Sequence, residues 1–517
     1  MLSIGGDARD YAIRSWFGRA NYAYKQKYLF EANFRYDGSS RFHPDNRWGM
    51  FPSFSAGWRL SEEGFMQDLL PGFKNIKLRG SWGQLGNNAS GNYDYQAVYG
   101  GVGYSFGGSQ VAGLRPTKIA NPALEWETTT MTNVGLDITT LDSRLTTEFD
   151  YYNKVTDGIL TVPPIYLTTG LIGAPTRNTA EVTNKGIELN LGWRDEIGQV
   201  SYSISGNLAF NNNEVTKYKG KLVEGWVTNE EGDEVYETNL GDVSSGGMTR
   251  ILEEHMINEY YLLDPYQGSG NHFNTDGSVN PEGGPTDGMI RTEKDMEWLE
   301  AMVADGNTFL PNQSIEQSGI WYGDYIYADD NNDGVYGNAY DRNFTGTSSM
   351  PKYTFGANMS ASWKNFDISM VWSGQAGFDL YWNESGYNRP NTRVGFQIGE
   401  ILADDHYYYN PDDPNDPKNN INATYPRLKL DEGDPQNIQT SSAWLYDASF
   451  VKLRNLTVGY TLPDHIASRI LTQKVRVYFS AENLLTITSF PGLDPEMGSN
   501  TNYPIMKQIS FGTNITF

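Results

Sequence analysis

Residues 509–517, ISFGTNITF, decide the fold. Ile509, Phe511, Thr513, Ile515 and Phe517 share one side of an extended strand, and Gln508, Ser510, Gly512, Asn514 and Thr516 share the other, because strand side chains alternate with period two. The first side is largely apolar, and the second offers only hydroxyls, amides or hydrogen. The stretch also ends on a bare aromatic residue, which a soluble protein would usually bury or follow with a polar tail. A lipid-facing strand of a transmembrane barrel accounts for both features, since apolar-out, polar-in alternation is the sequence signature of that architecture.

The pattern recurs along the chain. Trp16, Gly18, Ala20, Tyr22 and Tyr24 alternate with Phe17, Arg19, Asn21 and Ala23. After a short KQ turn, Tyr28, Phe30, Ala32, Phe34 and Tyr36 alternate with Glu31, Asn33, Arg35 and Asp37, which makes a hairpin with an apolar and a charged side. Ile187, Leu189, Leu191 and Trp193 oppose Glu188, Asn190, Gly192 and Arg194 without exception. About thirteen strands are expected, at 16–24, 28–37, 53–60, 76–83, 126–138, 145–157, 187–194, 202–211, 353–363, 366–375, 450–462, 475–482 and 509–517. Many have the length of about nine to eleven residues that a tilted spanning strand requires.

Short connections (after Tyr24, at 141–143 and at 364–365) largely alternate with long ones (after Asp37, Gln84, Asp157, Asn211 and Gln375), as periplasmic turns and outer loops do. The stretches after Leu60 and at 462–473 are longer than ideal turns. With the C-terminus in the periplasm, an odd strand count puts the start of the sequence at the outer surface. Bacterial barrels carry even strand numbers, so an odd number of further strands is expected ahead of residue 1.

Composition agrees with this reading. Hydrophobic residues are 38% of the 517 and the mean hydropathy is -0.55, yet aromatics reach 14%. That is too aromatic for a disordered chain and too polar for helical spans, which need roughly 18 consecutive apolar residues. A formal net charge of -24 argues against nucleic-acid binding, where a basic patch is expected. Cysteine is absent, so neither disulfides nor thiolate metal sites contribute. The opening MLSIGGDARDYAIRSW has no basic n-region and apolar h-region, so the beginning of an envelope protein would be expected upstream of it. A soluble sandwich or propeller also alternates, but its strands run nearer five or six residues. The expected fold is therefore an all-β transmembrane antiparallel barrel, its wide polar lumen lined by Arg19, Glu31, Arg35, Arg59, Lys77, Arg79, Glu188 and Arg194.

Several segments resemble the SusC/RagA family of TonB-dependent outer-membrane transporters of Bacteroidetes. They include FGRANYAYKQKYLFEANFRYDGSSRF (17–42), RWGMFPSFSAGWRLSEEGFM (47–66), NIKLRGSWGQLGN (75–87), DYYNKVTDGIL (150–160), NKGIELNLGW (184–193), YPRL (425–428), DASFVKLRNLTVGYTLP (447–463) and ENLLTITSFPGLDPEM (482–497), in the family's order. The resemblance implies that residues 1–517 are the C-terminal part of a 22-stranded barrel whose plug and first strands are absent here. It implies localisation in the cell outer membrane, nutrient uptake powered through the TonB complex, a SusD-like surface lipoprotein as partner, and an oligosaccharide or peptide as ligand. The alternatives are a passive outer-membrane pore and a secreted glycan-binding or glycan-cleaving β protein.

Two long stretches, 212–350 and 376–442, are expected to be extracellular. In the first, YADDNNDGVYGNAYDR carries Asp329, Asn331 and Asp333 at positions 1, 3 and 5 of a calcium loop, Gly334 at position 6 and the Val335 carbonyl at 7. Position 12 is Tyr340, so Asp341 is the expected closing ligand through a one-residue insertion; Ca²⁺ is the expected ion and Mg²⁺ the lesser alternative. The acidic stretches PDDPNDP (411–417) and DEGDP (431–435) lack ligand spacing and read as proline-punctuated loops. Tyr381, Trp382, Tyr407, Tyr408 and Tyr409 are the candidates for a stacking surface that contacts ligand. No nucleophile elbow, P-loop, HExxH or dinucleotide motif occurs, and the five histidines are scattered, so no enzyme is expected.

Overall fold

The computed structural model describes residues 10–517 except 163–167, 169–171, 385–386, 393–394, 396, 432, 500 and 502. Residues 1–9 of the opening segment therefore lie outside the described residues, as do parts of the second long loop.

The alternating segments pair into one antiparallel sheet of thirteen strands, each bonded to its neighbour in sequence, with β1 and β13 as its edges. The strands are β1 (Ile13–Tyr24), β2 (Tyr28–Ser39), β3 (Trp48–Arg59), β4 (Phe73–Asn87), β5 (Glu127–Thr140), β6 (Leu145–Thr161), β7 (Arg177–Ile197), β8 (Val200–Lys217), β9 (Tyr353–Trp363), β10 (Phe366–Ala376), β11 (Phe450–Thr461), β12 (Lys474–Thr488) and β13 (Gln508–Thr516). Register aligns apolar residues with apolar residues across the whole sheet: Tyr22 faces Phe30, Phe54 faces Trp82, Leu136 faces Phe149, Leu189 faces Leu208, Met359 faces Met370 and Phe479 faces Phe511. Since a slip of one residue would turn a whole strand to the wrong side, this continuity fixes every pairing. Phe30, Phe54, Ile204 and Phe511 remain exposed, as lipid-facing side chains must without lipid.

The tight turns lie at one end of the sheet. Lys25 and Gln26 (φ 51° and 58°), Leu141, Asp142 and Ser143, and Lys364 all take left-handed conformations there, the geometry that follows the right-handed twist of a hairpin. The two longer connections at that end are filled by short helices, Gly64–Leu69 and Asp464–Ala467 among them. At the other end β6, β7 and β8 run to 17, 21 and 18 residues, beyond the expected 145–157, 187–194 and 202–211. Their added ends, such as RNTAEVTN in β7, have no apolar side, which is why alternation did not reveal them. At about 3.3 Å per residue these ends stand well clear of the hydrocarbon band.

The dry core of the molecule lies outside the barrel wall. Residues 218–352, between β8 and β9, and 377–449, between β10 and β11, fold together around Trp298, Met302, Phe309, Ile326, Tyr327 and Tyr407, all almost fully buried. Helix α1 (Glu293–Ala304) is set by a capping box, with Thr292 and Asp295 bonding each other's backbone amides, and turns Met296, Trp298, Leu299 and Met302 inward. A separate hairpin, Val98–Phe106 with Ser109–Lys118, rises between β4 and β5; no expected strand corresponds to it.

Candidate functional site

The polar face of the sheet is built from matched charges. Arg19 meets Glu31 at 2.5 Å, Arg35 meets Asp37 at 3.1 Å, and Arg79 lies between Asp137 (2.8 Å) and Asp150 (2.5 Å), with Lys77 3.5 Å from Asp137. Arg79, Gly135, Asp150 and Glu188 follow one another across four strands on this face. Gly135 leaves room there for the ion pair, since a Cβ would lie 2.6 Å from the Arg79 guanidinium carbon and displace it. Arg194 donates to the Ser143 carbonyl at 3.0 Å. Lumen walls of this kind stay hydrated and hold their charged side chains in fixed places through neighbouring strands.

At the outer rim two ion networks fasten loops. Lys452 of β11 is 1% exposed and contacts Asp494 Oδ1 and Glu496 Oε2, each at 2.6 Å, while Arg454 grips the same Glu496 and donates to Ser373. Both glutamate and aspartate belong to the GLDPEM segment after β12, so that segment folds back onto the inner face. The second network centres on Asp324, fully buried, which accepts from Arg427 (2.8 and 2.7 Å) and Asn437 (2.7 Å) and lies 3.3 Å from Lys429. Lys429 in turn pairs with Asp434 at 2.5 Å. The DEGDP stretch, read as a proline-punctuated loop, supplies Asp434 to a buried pair. Arg427 is the arginine of YPRL, and Asp324 is contributed from 103 residues away. No spacing argument could have joined them; the signal was a lone basic pair flanked by aromatics and proline.

The five aromatic candidates separate. Trp382 is 2% exposed and packs with Tyr446 and Phe490, and Tyr407 is 1% exposed with its hydroxyl donating to the Arg291 carbonyl at 2.6 Å. Gly323, at φ 82°, makes room for the Tyr407 ring, since a Cβ would come within 2.2 Å of it. These two rings are core, not a stacking surface: in a segment without periodicity, large aromatics serve first to exclude water. Tyr381 is half-buried, with its hydroxyl 3.4 Å from the Gln439 carbonyl. Tyr408 is exposed, and Tyr409, half-buried, donates to Glu293 at 3.2 Å and meets Tyr322 edge-on.

The acidic turn closes on itself. Asp329 accepts from the amides of Asp333 and Gly334, Asp333 from that of Val335, and Asp341 from those of Asp330, Asn331 and Asn338. Gly334 takes φ 78°, as the bend demands. Asp341 is fully buried, enters no salt bridge among the described residues, and is pushed up to about 6, first by burial and also by Asp329. An all-oxygen donor set with an uncompensated buried carboxylate fits a hard cation chemically. Among the described residues, however, no three His, Asp or Glu side chains converge on a common point.

Charge is segregated between the layers. Residues 218–352 and 377–449 hold 37 of the 63 acidic and only 12 of the 39 basic residues. The remainder of the chain, with 26 acidic and 27 basic residues, is close to neutral.

A family model described as TonB dependent receptor-like, beta-barrel, matches residues 3–234. Over those residues, and in its thirteen-stranded sheet, the chain is similar to the β-barrel of TonB-dependent receptors. It is 29% identical to TonB-dependent receptor P3 of Formosa agariphila over 97% of this chain and 45% of that protein, and 28% identical to TonB-dependent receptor SusC of Bacteroides thetaiotaomicron over 97% and 43%. Among solved structures, the RagAB peptide transporter matches 98% of this chain and 48% of its own with a TM-score of 0.68 at 23% identity, a likeness of fold. The chain spans about half the length of the curated relatives it matches.

Proposed function

We propose that this chain is the C-terminal barrel portion of an importer that takes oligosaccharides or peptides across the outer membrane, driven through TonB and covered by a SusD-like surface lipoprotein. The observation that carries this reading is the pairing of a hydrated, charge-lined barrel wall with a thick, independently cored outer layer knitted from two insertions. A pore needs the first and has little use for the second. The role is transport rather than catalysis. The test is uptake of labelled oligosaccharides and peptides by cells lacking this gene, and separately by cells lacking TonB. Loss of the same cargo in both strains is expected. Uptake that needs the gene but not TonB would mean a passive pore, and recovery of the protein without detergent would mean a secreted β protein.

We further propose that the acidic turn takes Ca²⁺, with Mg²⁺ the weaker ion, through Asp329, Asn331, Asp333, the Val335 carbonyl and Asp341. The buried, unpaired carboxylate of Asp341 supports this reading. An increase in the thermal midpoint of the outer layer on adding Ca²⁺, abolished in Asp329→Asn/Asp333→Asn, is expected; an unchanged midpoint would leave a self-satisfied turn.

A further inference from the structure

The lipid-facing side of β1–β4 is not evenly filled. Two successive rungs of this side run Tyr22–Phe30–Ala56–Gly80 and Ala20–Ala32–Phe54–Trp82, so the two pairs of small residues, Ala20 with Ala32 and Ala56 with Gly80, meet on the diagonal. Together they floor a groove of about 650 Å³. Its walls are the aromatic pairs that complete the same two rungs, Tyr22 with Phe30 and Phe54 with Trp82, the latter stacked at 6.2 Å. Gly80 is not there to relieve a clash: a Cβ on it would meet nothing nearer than the Asn133 carbonyl at 3.9 Å. The space is left open to the lipid side.

The depth of the groove identifies its occupant. Tyr24, Tyr28 and Trp58 stack in a row at 6.4 and 6.3 Å beside the tight β1–β2 turn and mark the interface on the short-turn, periplasmic side. The floor runs from Ala56, two residues above Trp58, to Ala20 and Ala32, four residues above the row, where it lies about 13 Å along the strand. After strand tilt this is roughly 9 Å into the hydrocarbon, inside the periplasmic leaflet. At headgroup height the exposed Lys25 holds its ammonium 5.3 Å from the centre of the Tyr24 ring. Lys27 at the same turn is committed to Glu63 at 3.3 Å and is not available.

We propose that this groove seats an acyl chain of a phospholipid of the periplasmic leaflet, with Lys25 pairing with its phosphate. A cation at headgroup depth and an apolar trough at acyl depth match the two ends of one phospholipid; a second barrel docking here would need the trough alone. The inference rests on the outer-membrane placement of the sheet and not on the cargo.

The test is phospholipid analysis of the complete receptor, purified in mild detergent from its own outer membranes. Gly80→Leu places a side chain in the trough from a position whose Cβ has open space, and Lys25→Glu reverses the headgroup contact while leaving the trough intact. Heat-modifiable migration on gels reports that each barrel is folded. The wild-type receptor is expected to retain a phospholipid that both variants lose. Equal phospholipid content in wild type and the folded variants would overturn the proposal, as would a change in assembly mass without a change in lipid, which would assign the groove to a second copy.

Discussion

Asp341 and Asp324 are both fully buried carboxylates, and their surroundings give them opposite consequences. Asp341 receives only amide hydrogens, so burial keeps its proton up to about pH 6, against an ordinary value of 3.8. Between those values the folded chain binds a proton that the unfolded chain has lost, so stability falls as pH rises from about 4 to 6 and is level above. The change is at most about 3 kcal/mol. Thermal unfolding of the metal-free outer layer across that range measures it, and Ca²⁺ added above pH 6 is expected to recover the loss. Asp324 instead neutralises Arg427 beside Lys429. Asp324→Ala leaves Arg427 in a dry place without its anion, while Lys429 keeps Asp434, and a loss of about 3–5 kcal/mol is expected. The readout is early release of Trp fluorescence and trypsin cleavage within 218–352 while the barrel still migrates as folded.

At the scale of the element, each strand obeys one rule that its own sequence displays. Met359→Arg puts a charge on the lipid side of β9 and is expected to cost about 2–4 kcal/mol near the bilayer midplane, whereas Ser360→Arg, one residue on, faces the lumen and is expected to cost little. Reversible urea unfolding in lipid vesicles separates the two. The GLDPEM segment is held differently, by side chains rather than backbone pairing. Lys452→Met should free it from β11, detected as new protease sensitivity within 489–507 with no change in the barrel. The contrast explains what the sequence could disclose. All thirteen strands were legible because lipid on one side and water on the other impose a period-two pattern on every strand separately. The outer ends of β6–β8 were not, since above the membrane neither side must be apolar. Trp382 and Tyr407 were misjudged for a related reason: without periodicity, nothing in the sequence tells a ring that covers a core from a ring that awaits a ligand.

For the whole molecule, charge and hydrophobicity are divided between layers. The barrel wall is nearly neutral and apolar outside, and the outer layer carries essentially all of the net negative charge around an aromatic core. Such a field extends only about 8 Å at physiological ionic strength, so it acts on whatever reaches the mouth and not on what is inside the lumen. Cationic peptides should therefore associate faster than neutral ones of equal length, with the advantage vanishing at 1 M salt. Stopped-flow binding to the receptor in nanodiscs measures it.

The joining of two insertions into one outer body also makes each depend on the other during biogenesis. Tyr407 and Ala423, which complete the core around Tyr325 and Ile326, come from the second insertion, as does Arg427, the partner of Asp324. Until both insertions stand at the cell surface, whichever arrives first keeps its share of the aromatic core uncovered. Surface assembly of this receptor is in that sense a rendezvous, and the interval before it is when the chain is most open to proteases and to wrong neighbours.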